Sequence, residues 1–392
     1  MKILFITIAF CVVSFSVAAQ SEVETTLREV EANSATLRAL REQAEARKLG
    51  NKTGIYLANP EVEYSYLWGS PSAVGNRTDV SVRQSFDFPT AYAHRSKIAD
   101  MENANAELAY RTERMALLLE AKQACIALIY YNALARECAA RLRSAAQLAE
   151  MYRARLAKGD ANAIESNKAQ LNLVAVQHEA DRIAAEQASL RLELKRLNGG
   201  KELTLSAAEY PETSLPNSFE SWYAQAESVN PYLQHVGGQL DVSRQQVKLN
   251  AALGLPKFSA GYTSEKVVGE WFQGVSAGVS IPLWENKNRV KLAKAQVRAS
   301  EAALSDAKIQ LYNTLQSLYR RAAALRQTAA AYRSTLAACN NEPLLQKAFA
   351  AGEISLLTYL QEMDYYYAAV SSVLAAERDF ELAAAELTAA ES

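Results

Sequence analysis

Hydrophobic positions along this chain repeat with two periods, and twice the change from one to the other falls at a proline. From Gly274 to Ile281, Val275, Ala277, Val279 and Ile281 alternate with Ser276, Gly278 and Ser280, the period of a strand with one apolar face. Pro282 has no N–H to give a ladder and ends that strand. Beyond it Val290, Val297, Leu304, Leu311, Leu318, Leu325 and Tyr332 recur every seventh residue, the seam of a coiled coil. The pattern predicts a strand feeding directly into a very long helix. The same joint occurs earlier: Val80, Val82, Phe86 and Phe88 alternate with Asp79, Ser81, Arg83, Ser85 and Asp87 before Pro89 opens another helical run.

The two joints belong to an internal repeat. Pro89 and Pro282 lie 193 residues apart, and so do Gly159 and Gly352, the glycines expected to stop the two long helices. Equal spacing means the halves stay in register across the whole long helix with no insertion. The repeats are read as 20–200 and 218–392, joined by a connector over 201–217, and the repeat favours one elongated unit over several domains.

Each half follows one plan: helix, β-hairpin, long helix, return helix. The first helix runs from Glu22 to Lys48 with Leu27, Val30, Leu37, Leu40 and Ala44 as its stripe. In the first strand Val62, Tyr64, Tyr66 and Trp68 face one way and Glu61, Glu63 and Ser65 the other; 69–76 is a loop. The long helix from Thr90 to Lys158 spans about 100 Å, with Met101, Ala104, Leu108, Met115, Leu118, Cys125 and Ile129 as its seam. Its return helix carries Val176, Ile183, Leu190 and Leu197. Leu203 and Leu205 suggest a short strand in the connector, and Asn217 with Glu220 resembles a capping box opening the next helix. In the second half Phe258, Ala260 and Tyr262 point outward, 264–273 reads as the hairpin loop, and the last helix carries Val373, Phe380 and Leu387.

Four strands with apolar outer faces leave two sheet edges unpaired, which lipid does not tolerate. In a membrane, several copies would therefore share one barrel, with Glu61, Glu63, Asp79, Arg83, Ser276 and Ser280 facing a wet lumen. Tyr64, Tyr66, Trp68, Tyr262, Trp271 and Trp284 fall toward strand ends, as an aromatic belt requires. A soluble sheet packed on helices uses the same alternation.

Composition narrows the setting. Basic and acidic residues nearly balance, 42 against 43, so no nucleic-acid surface is indicated. Met1 to Ala19 reads as a signal peptide, with Lys2 before an apolar run from Ile3 to Val13 and small residues ahead of Gln20. Cys11 lies inside the apolar run, which makes it a poor site for lipid attachment. No later apolar run reaches the roughly 20 residues of a membrane helix. Cys125 and Cys138, about 20 Å apart on one helix, are too far to bridge, and with Cys339 they read as buried thiols. His94, His178 and His235 form no metal-ligand spacing. Neither a metal nor a cofactor is expected, nor an enzyme, since no nucleophile elbow or phosphate loop is found.

Short motifs then carry a resemblance. Asn230-Pro231-Tyr232-Leu233 at a helix start, Leu255-Pro256 before a strand, Ile281-Pro282-Leu283 at the joint and Gly352-Glu353-Ile354-Ser355-Leu356-Leu357 at the helical turn resemble the TolC family of bacterial outer-membrane efflux proteins. The resemblance spans nearly the whole mature chain. It implies a mainly α fold with membrane β: long antiparallel coiled-coil helices plus four strands per chain, and a homotrimer sharing a barrel of about twelve strands that continues into a helical periplasmic tunnel. It also implies an outer-membrane location among lipid, and a passive exit duct for small molecules, drugs or metal cations. The partners implied are a periplasmic adaptor and an inner-membrane pump, the resistance-nodulation-division type foremost. Gly159, Asp160, Gly352 and Glu353 would be the turns that meet the adaptor. The competing class is a soluble periplasmic coiled-coil adaptor or scaffold, which shares the signal peptide and heptads but has no need of the hairpins.

Family members with an acidic constriction carry aspartates just after the second glycine; here those places hold Thr358 and Gln361. Thr358, Glu362 and Tyr365 share a helical face, with Leu356, Leu360, Met363 and Tyr367 on another. Glu362 is the nearest acidic substitute for the ring, and a solvated surface charge is its alternative reading. Glu353 and Asp364 are next in line.

Overall fold

The computed structural model describes residues 22–339 and 341–390; the signal peptide expected at 1–19 lies outside them. In chain order the elements are α1 (22–33), α2 (Ala35–Asn51), β1 (Glu61–Leu67), β2 (Arg77–Phe86), α3 (Pro89–Lys158), α4 (Ala163–Leu197), α5 (Phe219–Val229), α6 (Pro231–Ala252), β3 (Lys257–Val267), β4 (Glu270–Ser280), α7 (Arg289–Ala338), α8 (Glu342–Ala350) and α9 (Leu356–Ala389). Two compact units are assembled from both sequence repeats. One comprises residues up to Ala39, Glu113–Val229 and Tyr312 onward; the other comprises Leu40–Thr112 and Asn230–Leu311.

The second of these contains all the strands. They form one antiparallel sheet in the order β1-β2-β3-β4, so each repeat supplies a hairpin and β2 pairs with β3 to join them. The register puts Tyr64 opposite Val80, Val82 opposite Tyr262, and Tyr262 opposite Val275. Where 264–273 was expected to be a loop, β3 continues to Val267 and β4 begins at Glu270, leaving a turn of only Val268 and Gly269. Both have positive φ, 48° and 88°, as a two-residue hairpin turn demands. A β-branched residue is a poor occupant of that region, so Val268 masks the turn. Beside the sheet, Ala91, Ile98, Leu249 and Ala252 pack α3 against α6, and Asn230 caps α6 by accepting the Leu233 N–H at 3.1 Å.

Pro282 does not open a helix. Residues 281–284 are irregular, 285–288 form a turn and α7 starts only at Arg289, whereas Pro89 does begin α3. The second long helix is also interrupted: α7 ends at Ala338, and α8 opens with Pro343 in its first turn. Proline has no N–H for the helix ladder and is tolerated only in the first turn, so the chain breaks where the first repeat runs on through α3. The expected α7 seam from Val290 to Leu325 is half-buried and Tyr332 is exposed; Ala293, Ala307, Leu315, Ala322 and Ala329 are buried instead.

In the other unit, Val23, Cys125, Leu128, Ile129, Leu194 and Leu205 form one core cluster, with Leu134, Cys138, Ala145, Val176 and Ile183 forming another. Of the seam expected on α3, Cys125 and Ile129 are buried, while Met101, Leu108, Met115 and Leu118 are half-buried and Ala104 is exposed. The connector has no strand at Leu203–Leu205. Its polar backbone is satisfied by side chains: Glu22 accepts from the Ser206 and Ala207 N–H groups, and Asn132 donates to the Leu205 and Ala207 carbonyls. Helix α5 begins at Phe219, with the Ser218 carbonyl accepting the Trp222 N–H. Ser218, not Asn217, therefore takes the cap position. Burial pushes the Cys125 thiol up to about 12. Cys138 is buried too, while Cys339 is exposed, contrary to expectation.

Candidate functional site: two faces of a sheet and two helical turns

Alternation along the strands separates two faces. Val62, Tyr64, Val275, Val279 and Trp271 are exposed on one. On the other, Glu61 stands opposite Arg83, Arg83 opposite Gly261, and Gly261 opposite Ser276. Glu63, Asp79 and Ser280 share that polar face. There Arg77 reaches Asp79 at 2.9 Å and Glu265 at 3.1 Å, a pairing across β2 and β3 that the strand pattern alone had not singled out. Of the aromatic belt, Tyr66, Trp68 and Trp271 gather at the hairpin end and Trp284 stands past β4 at the opposite end. Tyr64 and Tyr262 are not at strand ends: Tyr64 is the middle residue of β1, opposite Val80, and Tyr262 pairs in mid-strand with Val82 and Val275.

No helix among the described residues is long and apolar enough to cross a membrane. Nor is there among them a cluster of His, Cys, Asp or Glu fit to hold a metal ion.

The helical turns match bond for bond across the repeat. Gly159 N–H donates to Leu156 and Asp160 N–H to Arg155; Gly352 N–H donates to Phe349 and Glu353 N–H to Ala348. Both glycines have positive φ, 79° and 76°, the left-handed conformation that closes a helix C-terminus with little strain only for glycine. A Cβ at either would meet nothing within 4 Å. Each return helix is then capped, α4 by Asn162 accepting from Glu165 N–H and α9 by Ser355 accepting from Thr358 N–H. Beneath the turns Leu148, Tyr152, Ala169, Leu356, Tyr359 and Met363 form a core, with Phe349 stacked 4.6 Å from Tyr359.

At the start of α9, Thr358, Gln361, Glu362 and Tyr365 are all exposed, Tyr365 by 74%. Leu356 and Met363 are buried and Leu360 and Tyr367 half-buried on the packed face. The hydroxyls of Thr358 and Ser355 lie 3.0 Å apart, so Thr358 serves the cap. Asp364 is engaged: Arg141 of α3 donates to it at 2.6 Å while lying 4.8 Å over the Tyr367 ring. Burial raises the Tyr367 hydroxyl above its ordinary range. Sequence reading missed Arg141 because it lies 223 residues from Asp364, and no periodicity links the two.

Residues 222–391 match the family model described as outer membrane efflux protein. Among curated proteins no match was found. Among solved structures, the chain is similar to CusC, with a TM-score of 0.79 at 17% identity over 95% of this chain and 92% of that one. It is also similar to the CmeC outer membrane channel of Campylobacter jejuni (TM-score 0.76, 14% identity, 94% and 85% covered). A third is the outer membrane protein VceC of Vibrio cholerae (0.73, 14%, 96% and 97%). At these identities the likeness is one of fold.

Proposed function

We propose that this chain, whose residues 222–391 match the outer membrane efflux protein family model, is the outer-membrane channel of an efflux system. It would act as a passive exit duct for small molecules. The observation that carries the reading is the four-stranded sheet, which exposes an apolar, aromatic face and leaves both β1 and β4 with an unpaired edge. An open edge strand invites pairing, and in lipid each unpaired N–H or C=O costs several kcal/mol. Closure by copies of the same chain removes the edges: three chains give a barrel of about twelve strands. The polar face of each sheet then lines a wet lumen, and the apolar face meets lipid.

In this reading the helices line a periplasmic tunnel, and the turns at Gly159–Asp160 and Gly352–Glu353 meet a periplasmic adaptor that couples the channel to an inner-membrane pump. The open space around both glycines supports that assignment. Thr358, Gln361, Glu362 and Tyr365 line the tunnel mouth, with Glu362 as the acidic member of its narrowest ring. Three like charges close to one axis attract cations and raise the cost of anions. The test is fractionation followed by planar-bilayer recording. The protein should require detergent for extraction and then give stepwise conductance; extraction without detergent, or no conductance, would contradict the reading.

A further inference from the structure

One charged side chain sits on the apolar face of the sheet. Along β3 that face takes Phe258, Ala260, Tyr262, Ser264 and then Lys266. The register sets Lys266 between Thr78 on β2 and Trp271 on β4, with Tyr66 beyond Thr78. The next two rows toward the helices, from Tyr64 to Gln273 and from Val62 to Val275, carry no charge. Glu265 and Glu270 belong to the opposite face by the same alternation, and the Lys266 side chain makes no ion pair or hydrogen bond among the described residues. The Lys266 row lies just before the Val268–Gly269 turn, at the hairpin end of the sheet, away from the helices.

A lysine facing lipid is costly at the bilayer midplane and tolerated near the interface, where Trp and Tyr rings gather at head-group depth. Interface depth alone does not account for a cation at this position, since serine or threonine would serve. Here the ammonium and the Thr78 hydroxyl stand on adjacent strands as paired donors, while Trp271 Nε1 is already committed to Ser264 Oγ at 2.6 Å. Two donors flanked by aromatic rings complement a tetrahedral anion held at the surface of an apolar phase. We infer that Lys266 and Thr78 bind the phosphate of an outer-leaflet lipid, framed by Tyr66 and Trp271. The site rests on the reading of the sheet as part of a membrane barrel.

Purified full-length protein in detergent, given diphosphoryl lipid A or its dephosphorylated form, tests this by native mass spectrometry of retained lipid. The wild type should keep the phosphorylated form about fivefold better, the ratio one lysine supplies near an anionic surface. Lys266→Ala should lose that preference. Lys266→Arg should keep it, as should Lys257→Ala at the far end of β3. Equal retention of both lipids by the wild type, or an undiminished preference in Lys266→Ala, overturns the proposal. Displacement by millimolar inorganic phosphate overturns it too, since the site would then take free anions. Entry into liposomes separates the two levels: a protein that enters without lipid preference refutes only this site, and one that enters no liposome refutes the barrel and the site together.

Discussion

The Thr213 hydroxyl donates to a carboxylate oxygen of Glu381 at 2.7 Å, fastening the connector onto α9. Glu381 is buried, and burial pushes its carboxyl up to about 7, against the Thr213 hydrogen bond and the Lys122 charge, with Glu377 adding to the rise. Lys122 is itself held below its ordinary value by burial. Desolvation therefore outweighs attraction within this pair.

A pH dependence follows. The folded protein holds the Glu381 proton up to about 7, while the unfolded chain releases it near 4.5. This group's contribution is complete below the lower value and is lost as pH rises through the upper one, a loss of about 3 kcal/mol. Thermal unfolding in detergent should show Tm falling between pH 5 and pH 8. Glu381→Gln should flatten that fall and raise Tm at pH 8; an unchanged slope would assign the titration to another group.

The turns at Gly159 and Gly352 separate backbone strain from docking. Alanine at either site must adopt a left-handed φ at a cost of roughly 1–2 kcal/mol, without any clash. Each alanine variant should still assemble, with a modestly lowered Tm. A tryptophan at the same position fills the open space and should abolish efflux while assembly and membrane insertion persist. Normal export by both tryptophan variants would remove these turns from the docking surface.

Glu362 and Asp364 are two residues apart on α9, yet only Asp364 is held, by Arg141. The free carboxylate is the one expected to act on passing ions. In bilayer recordings Glu362→Gln should weaken cation preference and block by multivalent cations. Asp364→Asn should leave selectivity nearly unchanged and alter stability by no more than about 1 kcal/mol, as for an exposed pair. The reverse pattern would move the constriction to Asp364.

Much of the fold was legible because it is written in period. Strand alternation found both faces of the sheet, and equal spacing found the two matching turns. Three features escaped for local reasons. Val268 hides a hairpin turn because it lacks the residue type that turn favours; Val268→Asn should stabilise the hairpin by about 1 kcal/mol, measurable as a raised Tm. Pro343 breaks the second long helix, although the repeat spacing carries that helix on to Gly352. The connector takes its order from Glu22 and Asn132, residues remote in sequence. The exposed face of α9 was readable from helical spacing, but the engagement of Asp364 by Arg141 depends on tertiary packing.

One barrel closed by several chains must bring β1 of one copy against β4 of the next, and those two edges allow a direct measurement. In a protein with Cys125, Cys138 and Cys339 replaced by serine, Ser65→Cys on β1 is combined in turn with cysteine at Gly274, Ser276 or Gly278 on β4. After oxidation in the membrane, denaturing gel electrophoresis without reductant reads which edges meet. If neighbouring chains close the barrel, at least one pair should give a covalent trimer that collapses to monomer on reduction. Cross-linking confined within single chains, with every pair running as monomer, would mean that each chain closes its own sheet and would contradict the account.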